Sequence, residues 1–594
     1  MAAKESWNSK LGVILAVAGS AVGIGNFLRF PGNVAQYGGG AFMLAYVISF
    51  LIIGLPISWA EWTMSRYGGQ RGFHSPVGVF HAVTRKPWGK FVGIIGIIIP
   101  VCIYMYYVVV EAWCLGYACN FIADPSVFHT QESVGSFFTA FTGIGADGTA
   151  WGMGLDHLGT FLIICFALNF FLIYRGISKG IEMFCNYAMP ALLVLALIVL
   201  VRVLTLGAPD PNIPSQNINN GLGFMWNPNK TVLVETTMND AGEPQENRIQ
   251  LFGRQIQIAK QHFGLEGANE TELPDSSAWL EETGIANPAP GTSYRVEEVS
   301  ALSQLKKPDL WLAAAGQIFF SLSVGFGVIL TYASYLKKDD DVILSGLTAV
   351  SANEFAEVGI GGLITVPAAF AFFGVTASVG STFGLGFQTL PNVFGMMPAG
   401  NFFGFLFFFL LFLAAVTSSL SMLQPGIAFL EGAMDISRKQ SVAILGLITA
   451  IGAGAVVYFS GGVKMLDHLD FWGGNFLIFI FATIQIITFS WLFGVKKGMQ
   501  EAHVGSAIRI PRVFQFLMFL VTPLFLISIF IMWLWDKFAG AGETTYYVTD
   551  LFGKNPETGA WAAVAAILLF GLFVLVVTLN SSRYKSYDHG PEQG

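Results

Sequence analysis

The chain has 594 residues, of which 54% are hydrophobic and only 12% are charged, and its formal net charge is −7. Soluble domains carry about 25% charged residues, so this composition excludes an ordinary soluble protein and indicates an integral membrane protein. The net charge alone decides little, because the positions of the charges matter more than their sum.

Apolar runs of about 20 residues, the length that crosses a bilayer as an α-helix, recur along the chain. They predict an all-α integral membrane fold with about twelve membrane-spanning helices. In chain order the predicted spans are 11–36, 41–66, 90–123, 157–174, 181–206, 309–336, 342–373, 399–431, 441–459, 467–495, 511–537 and 559–580.

Lysine and arginine are concentrated in alternate loops, and this pattern sets the predicted orientation. Basic residues such as Arg66, Lys337 and Arg438 follow even-numbered spans, whereas the loops 124–156 and 375–398 contain neither lysine nor arginine. We therefore predict a multi-pass protein of the plasma (inner) membrane with both termini in the cytoplasm.

One large polar segment, residues 207–308, separates spans 5 and 6. It is rich in Asn, Pro and Glu, has a helical pattern only around 255–264, and lies outside in the predicted orientation. We interpret it as a long, solvated extracellular loop and assign it no function.

The first span contains residues that do not suit an uninterrupted helix in lipid. Gly19, Gly23 and Gly25 lie inside it, and Asn26 and Arg29 follow directly. Glycine weakens a helix interior, and backbone that leaves a helix at membrane depth must be buried in protein or line a wet cavity. We predict that the helix is broken here and that its freed backbone groups bind a ligand.

Span 6 repeats this pattern. Its sequence at 324–327, Val-Gly-Phe-Gly, echoes Val-Gly-Ile-Gly at 22–25. Two interrupted spans, five spans apart, indicate an inverted repeat with a site at its interface. The first five-helix repeat is predicted at 11–206 and the second at 309–495, with helices 11 and 12 at 511–580. Tight helix packing is the alternative explanation for the small residues.

The chain shows no pattern of catalytic or metal-binding residues. Cys102, Cys114, Cys119, Cys165 and Cys185 lie in or beside apolar segments, as small buried hydrophobic residues do. The eight histidines lack metal-ligand spacing, and no nucleophile elbow or phosphate loop is present. We predict that the protein is not an enzyme and has no cofactor.

Several motifs together resemble the neurotransmitter:sodium symporter family. They are Gly-Asn-Phe-Leu-Arg-Phe-Pro at 25–31, Gly-Gln-Ile-Phe-Phe-Ser-Leu-Ser at 316–323, Thr-Ser-Ser at 417–419 and Asp-Phe-Trp at 470–472. The resemblance extends from about Trp7 to about Phe493. It implies a leucine transporter-type fold, that is, a five-plus-five inverted repeat with broken helices 1 and 6.

The resemblance also implies two sodium sites. Sodium is a hard cation that prefers oxygen ligands, and every side chain implied here carries such an oxygen. The first site would use Ala21, Asn26, Ser321 and Asn353, completed by the substrate carboxylate. The second would use Gly19, Val22, Ala414, Thr417 and Ser418.

Gly23 indicates the substrate class within the resemblance. Monoamine transporters carry an Asp at this place, whereas a Gly leaves room for a carboxylate and so favours an amino acid. The implied lining is mostly apolar and uncharged, which favours a neutral, apolar ligand. The implied substrate-binding residues are Ser20, Ala21, Gly23, Gly25, Ile103, Tyr107, Phe320, Ser323, Phe326, Ser418 and Met422.

Two gates follow from the same resemblance. Arg29 and Asp470 would close the outer side over a lid of Tyr107 and Phe320. On the inner side the family pairs an arginine with an aspartate, and this chain has Lys4 and Gly432 at those places. Lysine is not an equivalent clamp, so the inner gate stays unassigned.

Glu357 lies one helical turn beyond Asn353, where chloride-dependent relatives have a neutral serine. A carboxylate there supplies the negative charge itself and implies chloride independence. Glu61 and Glu111 are further intramembrane acids, which we interpret as structural ion-pair or hydrogen-bonding partners.

We therefore predict a symporter that uses sodium influx to import a neutral amino acid by alternating access. Its partners would be that amino acid, sodium ions and the lipid bilayer, and no nucleic acid; whether it is a monomer or a homodimer stays open. The alternatives are an amino-acid sensor on the same fold without net transport and, less favoured, a sodium channel, because the presumed pathway has no continuous ring of polar residues.

Overall fold

The structure is a computed structural model, and it describes residues 7, 9–238, 244–263, 279, 292–374, 382–535 and 546–586. Within these residues, nine helices are long and apolar enough to cross a membrane. They are Gly40–Gly69, Gly89–Ala123, Ile177–Leu204, Val342–Phe373, Gly400–Met434, Arg438–Tyr458, Gly461–Ala502, Arg512–Leu534 and Thr558–Asn580.

The remaining predicted spans are the two broken ones and a short one. Leu11–Ala21 and Ile24–Gln36 form a pair bent by 55°. Leu158–Tyr174 has 17 residues, and Pro308–Leu322 is followed after a break by Val328–Tyr332. We number the twelve segments spans 1–12 in chain order, and each lies within a few residues of its predicted position.

Short helices connect the spans. They are Pro76–Thr84, Pro125–Phe128, Gln131–Thr142, Ile218–Trp226, Arg254–Phe263, Ala301–Gln304, Thr382–Gly384, Leu385–Thr389, Leu390–Met396, Tyr546–Phe552 and Ser582–Ser586. Residues 7, 9 and 582–586 lie on one face of the bundle, which we name the terminal face. The described residues of the segment 207–308 lie on the opposite face, the insert face.

Span 3 is the centre of the bundle. It packs against spans 4, 8, 9 and 12, while span 1 packs against spans 5, 7 and 8. In the most apolar stretch of span 3, 83% of the residues are buried inside the protein, against 22% for span 12. A helix that is apolar all round and still buried belongs to the interior of a bundle, so spans 1, 3, 6 and 8 form the core and span 12 lies at its edge.

The described residues of the segment 207–308 are folded, in contrast to the predicted solvated loop. Its strands β1 (Lys230–Met238), β2 (Pro244–Leu251) and β3 (Ser293–Val299) form an antiparallel sheet in the order β2-β1-β3. A separate hydrophobic core lies on one face of this sheet, formed by Leu233, Leu251, Ala259, Phe263, Trp279, Tyr294 and Val296. We name this folded unit the insert. β1 has three consecutive apolar residues at 232–234 and β2 is polar over 245–248, so the period-two pattern that marks a strand is weak in this segment.

Candidate functional site

Span 1 breaks where the glycines predicted it. The first helix ends at Ala21, Val22 and Gly23 have extended backbone, and the chain re-enters a helix at Ile24. A helix satisfies its carbonyls with the N–H groups four residues later. A two-residue interruption therefore leaves carbonyl oxygens on one side of the break and N–H groups on the other without their helical partners.

Asn26 provides a partner for one of these N–H groups. Its side-chain oxygen accepts a hydrogen bond of 2.9 Å from the Gly23 backbone N–H, and the Asn26 backbone N–H donates to the Gly23 carbonyl at 3.2 Å. In an unbroken helix these two backbone N–H groups would have donated to the carbonyl oxygens of Gly19 and Val22. The carbonyl oxygens of Gly19 and Val22 are thereby released from the helical ladder, and both belong to the implied second sodium site.

Tyr107 of span 3 releases a third carbonyl. Its hydroxyl accepts a hydrogen bond of 3.2 Å from the Ile24 N–H, which would otherwise bond to the Ser20 carbonyl. The Ser20 carbonyl instead accepts hydrogen bonds from the hydroxyls of Ser323 (3.1 Å) and Ser418 (3.2 Å). One backbone oxygen of span 1 therefore connects spans 6 and 8.

Span 6 breaks over residues 323–327. Ser323 has φ 53°, and Gly325 and Gly327 have φ 79° and 82°. Positive φ costs glycine nothing but strains other residues, so the two glycines permit this turn at membrane depth.

Glu61 of span 2 anchors this second break. Its carboxylate accepts a hydrogen bond of 3.0 Å from the Gly325 N–H. That N–H would have satisfied the Ser321 carbonyl in a continuous helix, so Glu61 releases a Ser321 oxygen toward the site. The sequence analysis interpreted Glu61 only as a structural partner, and no local motif connects it with residue 325.

Four residues of the implied first sodium site converge. The Asn353 side-chain amide lies 2.8 Å from the Asn26 amide nitrogen, 3.1 Å from the Ala21 carbonyl oxygen and 3.3 Å from that of Ser321. These contacts bring two side-chain amides and two backbone carbonyl oxygens together. Because a hard cation such as sodium prefers oxygen ligands, this donor set fits sodium.

Glu357 lies next to this group of oxygens. It accepts hydrogen bonds from Ser321, from Gln317 and, at 2.7 Å, from the Tyr46 hydroxyl. The Tyr46 hydroxyl also lies 2.9 Å from Glu354, a second acid that the sequence analysis did not single out. A buried acid therefore contacts the implied sodium ligand Ser321 at the position discussed for chloride.

The implied second sodium site joins spans 1 and 8. The Thr417 hydroxyl donates to the Ala414 carbonyl at 3.0 Å, and the Ser418 hydroxyl lies 3.4 Å from the Gly19 carbonyl and 3.2 Å from that of Ser20. A single hydroxyl hydrogen cannot serve both carbonyls of span 1 fully. At least one backbone oxygen therefore keeps a lone pair for a cation.

Glu111 holds span 8 in place beside this site. It accepts hydrogen bonds from Ser419 (2.5 Å) of span 8 and from Asn169 (3.1 Å) of span 4. Because Ser419 follows Ser418, this buried network fixes the backbone that carries the implied sodium ligand.

Gly23 lies in a confined space. A Cβ atom there would be 2.8 Å from the Tyr107 hydroxyl and 2.9 Å from the Ser418 hydroxyl. Real Cβ atoms do not approach other atoms so closely without displacing them. The absence of a side chain at this position therefore keeps two hydroxyls within reach of the span 1 break.

A serine cluster completes the polar part of the pocket. The Ser421 hydroxyl donates to the Ser20 hydroxyl at 2.7 Å, and the Ser20 and Ser323 hydroxyls are 3.5 Å apart. The sequence analysis included Ser20 and Ser323 but not Ser421. Its spacing of i+3 from Ser418 could have indicated that both face the same side of span 8.

The other implied substrate residues lie around the two breaks. Ile103 is one helical turn before Tyr107, Met422 is one turn after Ser418, and Phe320 packs edge-to-face on Phe326 at 5.9 Å. Ala21, Gly25, Ile103, Phe326 and Met422 are buried, whereas Phe320 is half-buried.

A cavity of about 370 Å³ leads from the insert face to this point, and Tyr107 and Phe320 are among its lining residues. Above them the Arg29 guanidinium stacks on Phe320 at 4.3 Å and lies 3.7 Å from Asp470. Arg29 also donates to Asn475 at 2.5 Å. The residues implied as the outer gate are therefore together in space.

The terminal face is closed by different contacts. The Trp7 ring donates to the Tyr332 carbonyl at 3.2 Å, and Ser9 donates to Glu182 of span 5 at 3.1 Å. A Cβ at Gly432 would lie 3.4 Å from an Arg583 nitrogen, so the C-terminal helix reaches the place where the family has its aspartate. Lys4 lies outside the described residues.

Comparisons with known proteins identify the family of this chain. The sequence profile of the family described as "Sodium:neurotransmitter symporter family" matches residues 4–133 and 291–587. The chain is 27% identical to an uncharacterized sodium-dependent transporter of Methanocaldococcus jannaschii over 544 residues, 89% of each protein. It is 25% identical to the mouse sodium- and chloride-dependent neutral and basic amino acid transporter B(0+), covering 90% of this chain and 80% of that one.

A solved structure supports the same relationship. The chain is similar to MhsT, whose crystal structure was determined in complex with L-phenylalanine, with a TM-score of 0.65 and 25% sequence identity. The match covers 89% of this chain and 99% of MhsT.

Proposed function

Because this chain belongs to the sodium:neurotransmitter symporter family and is a sodium-dependent transporter, not an enzyme, we propose that it imports a neutral, apolar amino acid by alternating access. The observation that carries this proposal is the meeting of two broken helices. Released backbone oxygens of spans 1 and 6 lie beside the side-chain amides of Asn26 and Asn353, and Thr417 of span 8 packs against Gly19 of span 1. Such a region serves cations and a zwitterion better than it serves any reaction chemistry.

The space beside Gly23 supports an amino acid as substrate. The Tyr107 hydroxyl and the start of the helix at Ile24 lie next to it, and an anion is favoured at a helix N-terminus. A carboxylate placed there would also complete the oxygen set of the first sodium site. Sodium and substrate would then bind cooperatively and reciprocally.

The lining supports a neutral, apolar side chain. Ile103, Phe320, Phe326 and Met422 are apolar, and the hydroxyls of Ser20 and Ser323 already bond to neighbours. A charged ligand side chain would lose its hydration without a countercharge. MhsT, solved with L-phenylalanine, shows that a related chain binds an apolar amino acid.

Glu357 supports chloride independence. The carboxylate contacts Ser321 and lies 3.4 Å from the Asn353 amide nitrogen, so it supplies beside the implied sodium site the negative charge that chloride would otherwise bring. Glu357→Ser should make uptake depend on chloride, whereas the unaltered protein should transport equally in chloride and gluconate. Equal chloride-free uptake by both proteins would contradict this role.

We place the terminal face in the cytoplasm of the cell, because the basic loops lie on that side. Arg29 and Asp470 then close the extracellular path, and Trp7 with Tyr332 closes the cytoplasmic one. Alternating access requires that these two closures open in turn.

The decisive experiment is uptake by the purified protein in reconstituted vesicles. A panel of labelled amino acids is offered with an inward sodium gradient and with sodium equal on both sides. We expect gradient-dependent accumulation of one or a few apolar amino acids. Accumulation that is equal with and without the inward sodium gradient would overturn the proposal.

A second candidate is an amino-acid sensor without net transport. The observation that favours it is the changed inner closure, in which Gly432 lacks the carboxylate of the family pair and Arg583 lies beside it. Counterflow separates the candidates, since preloaded vesicles exchange labelled substrate only if the site reaches both sides.

A further inference from the structure

A second cavity lies on the insert face, away from the central site. It has a volume of about 680 Å³ and lies between the β-sheet of the insert and the end of span 7. We name it the insert cavity. Volumes of roughly 300–1,000 Å³ are typical of pockets for small molecules.

Aromatic packing builds the insert cavity. Phe252, which follows β2, meets Phe370 of span 7 edge-to-face at 4.8 Å, and Phe224 stacks on Phe370 at 6.2 Å. These contacts hold the insert against the bundle and leave the space beside the sheet open. The cavity therefore has an apolar wall from span 7 and a wall of mixed polar and apolar residues from the insert.

The charges that line the insert cavity have one sign. Lys230, Arg248 and Lys307 are the charged residues among its described lining residues, and no carboxylate is among them. Arg248 is already paired, 3.1 Å from Glu297. Among the described residues, Lys230 and Lys307 are the lining cations without such an ion pair.

Lys230 is half-buried at the start of β1. Its ammonium lies 5.8 Å from the centre of the Phe224 ring. Burial, and then repulsion from Lys307, lowers the pKa of Lys230 to about 8. Because both causes disfavour the charged form of Lys230, an anion bound beside it would stabilise that form.

We propose that the insert cavity binds a small organic oxyanion, a carboxylate or a phosphate ester with an apolar body. Lys230 and Lys307 would hold the oxyanion, and Phe370 with Phe373 of span 7 would contact the apolar body. Charge-assisted hydrogen bonds are the strong ones in such a site. The proposal concerns residues outside the central site and does not depend on which amino acid is transported.

The insert cavity lies at the ends of two membrane spans. Lys307 directly precedes span 6, which begins at Pro308, and Gly374 directly follows span 7 at the edge of the same cavity. A bound oxyanion would connect the insert with the ends of both spans.

The test is calorimetric titration of the full-length protein in nanodiscs of zwitterionic phosphatidylcholine. Sodium-free buffer keeps the central site from contributing. The probes are benzoate and phenyl phosphate, with benzyl alcohol as the neutral counterpart and inorganic phosphate as the anion without an apolar body. We expect saturable binding of one benzoate or phenyl phosphate, about tenfold tighter than benzyl alcohol.

Three variants locate the binding. Lys230→Gln and Lys307→Gln should each weaken it by about tenfold, whereas Lys306→Gln, an exposed neighbour outside the cavity lining, should change it less than about twofold. Sodium-driven uptake by each variant shows that it is folded.

A second arm repeats the titration in nanodiscs that contain phosphatidylglycerol. If soluble anions bind only when this lipid is absent, or if the lipid itself is retained in a Lys230-dependent manner, the oxyanion comes from a lipid headgroup and the proposed chemistry holds. No saturable binding in either arm, or binding unaffected by both Lys230→Gln and Lys307→Gln, overturns the proposal.

Discussion

The side-chain amides of Asn26 and Asn353, 327 residues apart in the sequence, meet at 2.8 Å. Asn26 caps the re-entry of span 1 after its break, and Asn353 also contacts Ser321 of span 6 at 2.6 Å. This pair therefore connects both broken helices through span 7. A ligand bound between the two breaks would therefore lie next to residues that are connected to spans 1, 6 and 7.

Asn26→Ala should weaken sodium binding and substrate binding together. The change removes an oxygen from the implied sodium site and also the cap on the Gly23 N–H, and losing such a bond costs about 1–3 kcal/mol. We expect about tenfold or more in both affinities, measured by scintillation proximity with labelled substrate and by sodium titration. Asn392→Ala removes a buried amide that bonds to Phe128 far from the site, and it should leave both affinities unchanged. Unchanged sodium-dependent affinity in Asn26→Ala would contradict the shared site.

Gly23→Ala should abolish or strongly weaken substrate binding. The added methyl group would lie 2.8 Å from the Tyr107 hydroxyl, and forcing extra volume into a packed site costs about 1–3 kcal/mol. The expected loss of affinity is about tenfold or more, read from competition with labelled substrate. Gly454→Ala is the matched control, because a Cβ there meets nothing within 4 Å. If both variants bind substrate normally, the pocket does not reach Gly23.

Ser418→Ala should raise the sodium concentration needed for half-maximal uptake. The hydroxyl lies 3.4 Å from the Gly19 carbonyl, and its loss removes one implied sodium ligand, worth about 1 kcal/mol or somewhat more. Uptake measured over a sodium series gives the shift, for which we expect roughly fivefold or more. Ser441→Ala removes an equally buried hydroxyl that donates to the Ser437 carbonyl at the start of span 9. A sodium curve that is the same for both variants would place the second site elsewhere.

Arg29→Ala should speed substrate release more than Asp470→Asn does. Arg29 and Asp470 are 18% and 29% exposed, so their ion pair alone is worth no more than about 1 kcal/mol. Arg29 additionally stacks on Phe320 and donates to Asn475, and the alanine loses all three contacts. We expect a few-fold faster dissociation for Asp470→Asn and about tenfold for Arg29→Ala, measured by chase of labelled substrate. The reverse order would show that the ion pair dominates the closure.

Anion binding in the insert cavity should weaken between pH 7 and pH 9. Burial and the neighbouring Lys307 lower the pKa of Lys230 to about 8, so Lys230 is mostly charged at pH 7 and mostly neutral at pH 9. Because only the charged form attracts an oxyanion, benzoate affinity should fall by roughly tenfold across this range. Lys307 and the paired Arg248 also face the cavity. Lys230→Gln should bind weakly at both pH values, and a pH dependence that survives this change would assign it to another group.

The sequence predicted the parts of the site that depend on local signals. Gly23 and Gly325 mark the two breaks because glycine is unfavourable inside a helix, and both spans are interrupted there. The hydroxyls and amides near them carry the oxygens that a cation needs. The breaks can be inferred from a few neighbouring residues in the sequence. The ligand residues can be inferred from the family resemblance.

Contacts between distant segments could not be predicted in this way. Glu61 bonds to the Gly325 N–H across 264 residues, and Glu354 reaches Tyr46 across 308. Nothing in the sequence around Glu61 distinguishes it from an ordinary buried acid. The strands of the insert were missed for another reason: their core residues, such as Leu233 and Tyr294, come from separate strands and become a pattern only after pairing.

The closure of the terminal face depends on the end of the described chain. Arg583 donates to the Gly72 carbonyl at 2.6 Å, and the buried Tyr584 stacks on Phe429 of span 8. Both residues are translated after Gly72 and Phe429. During synthesis, then, these two contacts of the terminal face form only after span 12 and the short helix that follows it have been made.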